Sequence, residues 1–284
     1  MRGIVTIGAC QTPEILGDVD AAVACIRRFC EQAEPEGADL LLFPECFLQG
    51  YLVTEAHVRH HALDLGSARF RSVAARLADI RPALVAGVIE RSGGRVHNSA
   101  VVLEHGRVTG VYRKTHLVPG EQIFAAGDEY PVFEVRGLRY GINICYDTQF
   151  AGAASRIARQ GARVLLVPAQ NMMRRQAAET WKHRHHQIRA ERVRETGMWL
   201  LSADVTGKRG DTHIGYGPTS VTNPSADTIA QVPLMETGMV IAHIPNDETV
   251  NHRQGPNSAR QTSVDPLNPP DISLTAANSM GTSR

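Results

Sequence analysis

Short apolar runs alternate along this chain with segments whose apolar residues recur at helical spacing. That alternation narrows the possible folds more than any other feature. GIVTIGAC, ADLLLFPE, PALVAGVIE, LRYGINICYD, ARVLLVPAQN and MWLLSADVTG read as strands. Between them, DVDAAVACIRRFCEQAE puts Ala22, Cys25, Ile26, Phe29, Cys30 and Ala33 at helical spacing. ARFRSVAARLADI is helical, AASRIARQG is a short helix closed by Gly161, and AETWKHRHHQIRAERVRETG is a long helix closed by Gly197. A strictly alternating chain would wind into a doubly wound parallel sheet. HNSAVVLEHGRVTGVYRK breaks that pattern, because it reads as a hairpin with His105-Gly106 at its turn. GPTSVTNPSADTIAQ and GMVIAHIP add further consecutive strands. A layered α/β fold with mixed sheets and outer helices accommodates both kinds of connection.

Composition removes several classes of partner. The 284 residues are 43% hydrophobic and 21% charged, enough for a sizeable core. Thirty basic and 29 acidic residues leave a formal net charge of +1. Nothing in that balance points to nucleic acid or an anionic membrane. No apolar stretch reaches spanning length, and the apolar part of MRGIVTIGACQT is too short for a signal peptide. Five cysteines, an odd number without framework spacing, fit a reducing cytoplasm. Gly-rich phosphate loops are absent from the sequence, so no nucleotide cofactor is expected, and no other cofactor either. After Pro245 the composition turns polar and rich in Pro, Asn and Ser. Residues 246–284 are therefore expected to form a tail or arm beyond a single domain of residues 1–245.

Three strand ends carry reactive side chains. LLLFPE ends at Glu45, GVYRKTHL has Lys114 just after a strand, and YGINICYD ends at Cys145. In α/β folds catalytic groups gather at strand ends, where the sheet holds them rigidly. A thiol can be a nucleophile, a carboxylate can take its proton, and an ammonium can stabilise both a thiolate and an oxyanion. Burial raises the pKa of a carboxylate and a neighbouring Lys114 lowers it, while a cation beside a thiol favours the thiolate.

With those residues in place, the chain resembles the nitrilase superfamily, the carbon–nitrogen hydrolases. GADLLLFPECFLQGY is similar to the family's general-base block. VYRKTHLVPGEQIFAAGDEYPVF is similar to its lysine block, and GINICYDTQFAGAASRIARQGARVLLVPAQN to its nucleophile block. The resemblance covers roughly the first 245 residues and implies a four-layer αββα sandwich. It implies that Glu45 is the general base, Cys145 the nucleophile and Lys114 the oxyanion-side cation. Glu121 would be a second glutamate that orients the lysine or the substrate amide. The backbone N–H of Tyr146 would complete the oxyanion site, and Tyr51 and Asn171, in the same blocks, would bind substrate. Glu191, in IRAERV, matches a residue that braces the active-site region. Family habit also implies a homodimer or higher homo-oligomer.

The function so implied is hydrolysis of a non-peptide C–N bond in a small amide or carbamoyl compound, through an acyl-thioester. Tyr146-Asp147 after the nucleophile resembles the amidase and carbamoyl-hydrolase branches, against the Trp-Glu pair of nitrilases proper. A nitrilase and a catalytically silent binding protein of the same fold are the alternatives. Where many relatives continue with Arg-Phe-Pro-Glu, this chain has Gln149-Phe150-Ala151-Gly152, which weighs against carboxylate-bearing substrates unless Arg174 or Arg175 supplies the charge. The HRHH run, His183 to His186, lacks partners at ligand spacing and is read as a helix face, with no metal expected. Cys10, Cys25 and Cys30 read as core residues. Cys46 reads as structural, facing away from Glu45 on an extended chain.

Overall fold

A computed structural model describes residues 3–246. The expected tail, 246–284, lies almost wholly outside them. In chain order the elements begin with β1 (Ile4–Pro13), α1 (Val19–Ala33), β2 (Leu40–Leu42), α2 (Glu55–His61), α3 (Ala68–Ala75), β3 (Ala83–Ser92), β4 (Arg95–Glu104) and β5 (Arg107–Arg113). The second half has β6 (Val132–Val135), β7 (Leu138–Ile142), a 3₁₀ turn (Cys145–Gln149), α4 (Ala151–Arg159), β8 (Val164–Pro168), β9 (Met173–Arg174) and α5 (Arg175–Thr196). It closes with β10 (Trp199–Arg209), β11 (His213–Tyr216), β12 (Ser220–Thr222), β13 (Thr228–Gln231) and β14 (Gly238–Pro245).

Alternation along the strands sorts these elements into layers. Ile7, Leu40 and Leu42 point one way, into a core shared with Ile142, Leu166 and Leu201 of the second sheet. Cys10, Leu41 and Leu84 point the other way, onto the Ile26 and Phe29 face of α1 and onto Phe70 of α3. On the far side, Leu165, Val167 and Leu200 pack against Ile157 of α4 and Val193 of α5. The result is helix, sheet, sheet, helix, with the central strands, β2 and β8 among them, buried on both faces.

Both sheets are mixed, as the hairpins require. β1, β2 and β3 are parallel neighbours, and β4 and β5 follow antiparallel. The His105-Gly106 turn has both residues at positive φ, +48 and +72, the geometry that lets a two-residue turn follow the twist of its strands. In the second sheet β7 and β8 are parallel to β10. β10 belongs to both sheets: Trp199 to Ala203 pair with β8, and Asp204 to Thr206 pair with β1.

Two strands stop earlier than their apolar runs suggest. β2 ends at Leu42 because Pro44 has no N–H for the ladder, so Glu45 sits in the loop beyond the sheet. That loop crosses directly over Gly87 of β3. A Cβ there would fall 2.2 Å from the Cys46 nitrogen and 2.4 Å from the Pro44 oxygen. β7 ends at Ile142, and Cys145 opens the 3₁₀ turn instead of closing the strand. The short helix α2 and strands β6, β9 and β11 carry too few apolar residues in period to be legible beforehand.

Candidate active site

Glu45, Lys114 and Glu121 converge in the interior. Lys114 follows β5 directly and is 1% exposed. Its Nζ donates to Glu45 Oε1 at 2.8 Å and to Glu121 Oε1 at 3.0 Å. Glu121 is also held by the Tyr51 hydroxyl at 2.8 Å and the Val118 N–H at 2.9 Å. Tyr51 therefore spends its hydroxyl proton on Glu121, and what it has left for a substrate is a lone pair and its ring. Asn98 on β4, which sequence reading passed over as part of a hairpin, donates to both carboxylates, at 2.7 Å to Glu45 and 3.2 Å to Glu121.

Cys145 comes from the other sheet. It adopts φ of +44, a left-handed conformation that an L-residue with a side chain rarely holds. Such strain persists only where surrounding contacts fix it. Here Asp147 does the fixing. Its buried carboxylate accepts from Ile144 N (2.9 Å), Tyr112 Oη (2.8 Å), Thr115 N (3.2 Å), Thr115 Oγ1 (2.9 Å) and His116 N (2.8 Å). One aspartate thus ties the thiol's turn to the segment just after Lys114. The Tyr146 N–H stands in the first turn of the 3₁₀ segment, where backbone donors have no partner within the helix. Asn171, just past β8, turns its Oδ1 toward Cys145 Sγ at 3.9 Å while its Nδ2 is held by Asp204 of β10.

The electrostatics correct one expectation. Burial raises the Glu45 carboxyl above its ordinary value, although Lys114 pulls it down. Burial lowers the Lys114 ammonium, but Glu45 and Glu121 outweigh that and hold it well above its usual range. The Cys145 thiol is pushed well up, first by burial and then by the Glu45 charge, and Lys114 does not compensate. The cation is already neutralised by two carboxylates, so the resting sulfur is a thiol and not the thiolate a lone neighbouring lysine would favour.

Other expectations change in detail. Cys46 is not on an extended segment: its φ is +48 and its thiol, turned inward, reaches Asn98 Oδ1 at 3.3 Å. Glu191 is exposed; its carboxylate lies 3.6 Å from the Arg192 guanidinium, and it does not brace the site directly. The arginines beside it do, Arg189 through the carbonyl of Pro218 and Arg192 through that of Thr148 at 3.1 Å. Arg175 is exposed, with its Nε on the Asp211 carbonyl at 2.7 Å. In the HRHH run His183 is exposed and His185 lies against Trp181, ring centroids 5.6 Å apart. Among the described residues, no three His, Cys, Asp or Glu side chains are grouped to hold a metal.

All five cysteines are free, and Cys145 alone is not fully buried. Burial raises Cys10, Cys25 and Cys46, and pushes Cys30 up to about 12. Iodoacetamide is therefore expected to modify Cys145 first, at a rate that climbs with pH as the raised thiol ionises. Peptide mapping checks this, and first labelling of Cys46 or Cys10 would move the nucleophile elsewhere.

The sequence profile described as carbon-nitrogen hydrolase matches residues 6–254. The chain belongs to the carbon–nitrogen hydrolase family. This family member is 30% identical over 239 residues to a nitrilase from Pyrococcus abyssi, spanning 82% of this chain and 87% of that one. It is 29% identical over 187 residues to an (R)-stereoselective amidase from a Pseudomonas species, which is 66% of each chain. Two further relatives are spanned over only 51% and 37% of their lengths. Its fold matches the crystal structure of an amidase from a Nesterenkonia species with a TM-score of 0.73 at 25% identity, covering 87% of this chain and 93% of that one. The architecture is the nitrilase-superfamily αββα sandwich. No helix among the described residues is long and apolar enough to cross a membrane.

Proposed function

We propose that this chain is a cysteine amidohydrolase acting on a small non-peptide amide or carbamoyl compound. The observation that carries the reading is a buried ammonium held at 2.8 and 3.0 Å between two carboxylates, beside the strained turn that presents Cys145. Cys145 attacks the carbonyl carbon as its proton passes to Glu45, whose pKa, raised by burial, makes it a stronger base than an exposed carboxylate. The oxyanion forms between Lys114 and the Tyr146 N–H. Glu45 returns the proton to the leaving nitrogen, the C–N bond breaks, and an acyl-thioester remains. Water, deprotonated by Glu45, then releases the acid. Glu121 orients Lys114, and Tyr51 and Asn171 border the substrate. Five free thiols fit a cytoplasmic location.

A second reading, nitrile hydrolysis, is favoured by the likeness to the Pyrococcus abyssi protein over most of both chains. The two paths differ in where charge develops. A nitrile gives a thioimidate with charge on nitrogen, whereas an amide gives a tetrahedral centre with charge on oxygen and needs an acid for its leaving nitrogen. A lysine and a backbone N–H around one oxygen, with a protonated Glu45 in reach, suit the amide path. The test is kcat/KM for an amide and its matched nitrile, with intact-mass detection of the acyl adduct. The amide is expected to be the better substrate, and preference for the nitrile would sink the amidase reading.

A further inference from the structure

Asn98 lies in a strand built for packing, followed on β4 by buried Ala100, Val101, Val102 and Leu103. It is itself 1% exposed. A buried amide has two N–H hydrogens and a carbonyl to satisfy. Asn98 satisfies all of them within the site. Nδ2 donates to Glu45 Oε1 at 2.7 Å and to Glu121 Oε1 at 3.2 Å, and Oδ1 accepts from the Cys46 thiol at 3.3 Å. Its backbone carbonyl accepts the N–H of Lys114 at 2.8 Å. The orientation of the amide is forced, because ionised carboxylates only accept and the nitrogen must face them.

Lys114 Nζ donates to the same two oxygens, at 2.8 and 3.0 Å. Two acceptors and two donors thus form a closed diamond in which only one donor is charged. One ammonium cannot by itself keep two adjacent buried carboxylates ionised, and a pair left like that takes up a proton. A protonated Glu45 could not accept the thiol's hydrogen.

We propose that Asn98 is a positioning residue for the base, a neutral second clamp that keeps Glu45 ionised and occupies Oε1 so that Oε2 takes the proton. The inference rests on the amidohydrolase reading and adds how that site's base is kept competent. In the step it serves, the S–H bond breaks, the S–C bond forms, the proton lands on Oε2, and it later leaves with the nitrogen. The groups facing Glu45 are Lys114 and Glu121, with Tyr51 behind Glu121, and the thiols of Cys46 and Cys145. Of these only Lys114 joins Asn98 in favouring the ionised form, while burial and Glu121 oppose it.

The test is the pH profile of kcat/KM for Asn98→Asp, nearly isosteric, and Asn98→Ser, each with its far-UV spectrum. Removing the double donor raises the pKa of the base, so the acid-side fall in rate is expected to move up by about one pH unit or more. The pH dependence of Cys145 alkylation is expected to change with it. A uniform loss of rate with an unmoved acid limb, or failure of both variants to fold, would assign Asn98 a structural role and overturn the proposal. Wild-type protein that neither turns over amides nor labels at Cys145 would sink the amidohydrolase reading first and this one with it. A competent wild type with unmoved variants sinks this one alone.

Discussion

Replacing Cys145 with alanine is expected to lower amide turnover by about four orders of magnitude or more, with the far-UV spectrum unchanged. The reasoning is one of supply. In the proposed cycle the thiol provides the bond on which the acyl group rests, and the remaining cysteines are buried. The methyl group of alanine bears the same left-handed φ of +44 that the cysteine already bears, so the backbone gains no new strain. The lost contact to Asn171 is long, 3.9 Å, and the stability change is expected to stay within about 1 kcal/mol. The measurement is kcat/KM paired with intact mass: the wild type accumulates an acyl adduct and the variant does not. Turnover within tenfold of wild type would place the nucleophile on another residue.

Lys114→Met is expected to be damaging in two separable ways. Loss of the oxyanion-side cation lowers the rate by about two to three orders of magnitude. Loss of the ammonium also leaves Glu45 and Glu121, both buried, facing one another without their counter-ion. Breaking a buried pair on one side costs about 3–5 kcal/mol. That cost depends on pH with a definite sign. Burial already holds the Glu45 carboxyl above its unfolded value of about 4.3, and without Lys114 it rises further, so the variant keeps its stability at acid pH and loses it as pH rises through the raised value. Chemical denaturation at pH 5 and pH 8 checks it. Equal destabilisation at both would mean the two carboxylates are not the source.

What the sequence made legible divides along physical lines. The helix period fixes which face of α1 is apolar, and the unbroken apolar runs of β2 and β8 mark strands covered on both faces, from which the layering follows. Glu45, Lys114 and Cys145 stand out because each follows the end of a strand run, whereas Glu121, in a loop, comes from the matched block alone. Asn98 escapes notice because a polar residue between His97 and Ser99, ahead of an apolar strand run, looks like any edge of a hairpin. Its meaning lies in Glu45 and Glu121, which are distant in sequence. The state of the Cys145 thiol was illegible for the same reason: a lysine nearby says little until its other partners are known. Glu191 against Arg189 and Arg192 is a matter of helix rotation, which no motif encodes.

The long strand β10, shared by both sheets, changes what the interior core does. Glu45, Asn98 and Lys114 belong to one sheet, and Cys145 and Asn171 to the other. The proposed base and nucleophile are therefore mounted on opposite walls, and the spacing of those walls is set by the layer filled by Leu42, Ile142, Leu166 and Leu201. Stacked sheets sit about 10 Å apart, and productive geometry tolerates errors of only about 0.5 Å. Those aliphatic side chains act as a gauge block. Their volumes set how far apart the walls stand, and β10, paired with β8 at one end and β1 at the other, rivets the two walls together.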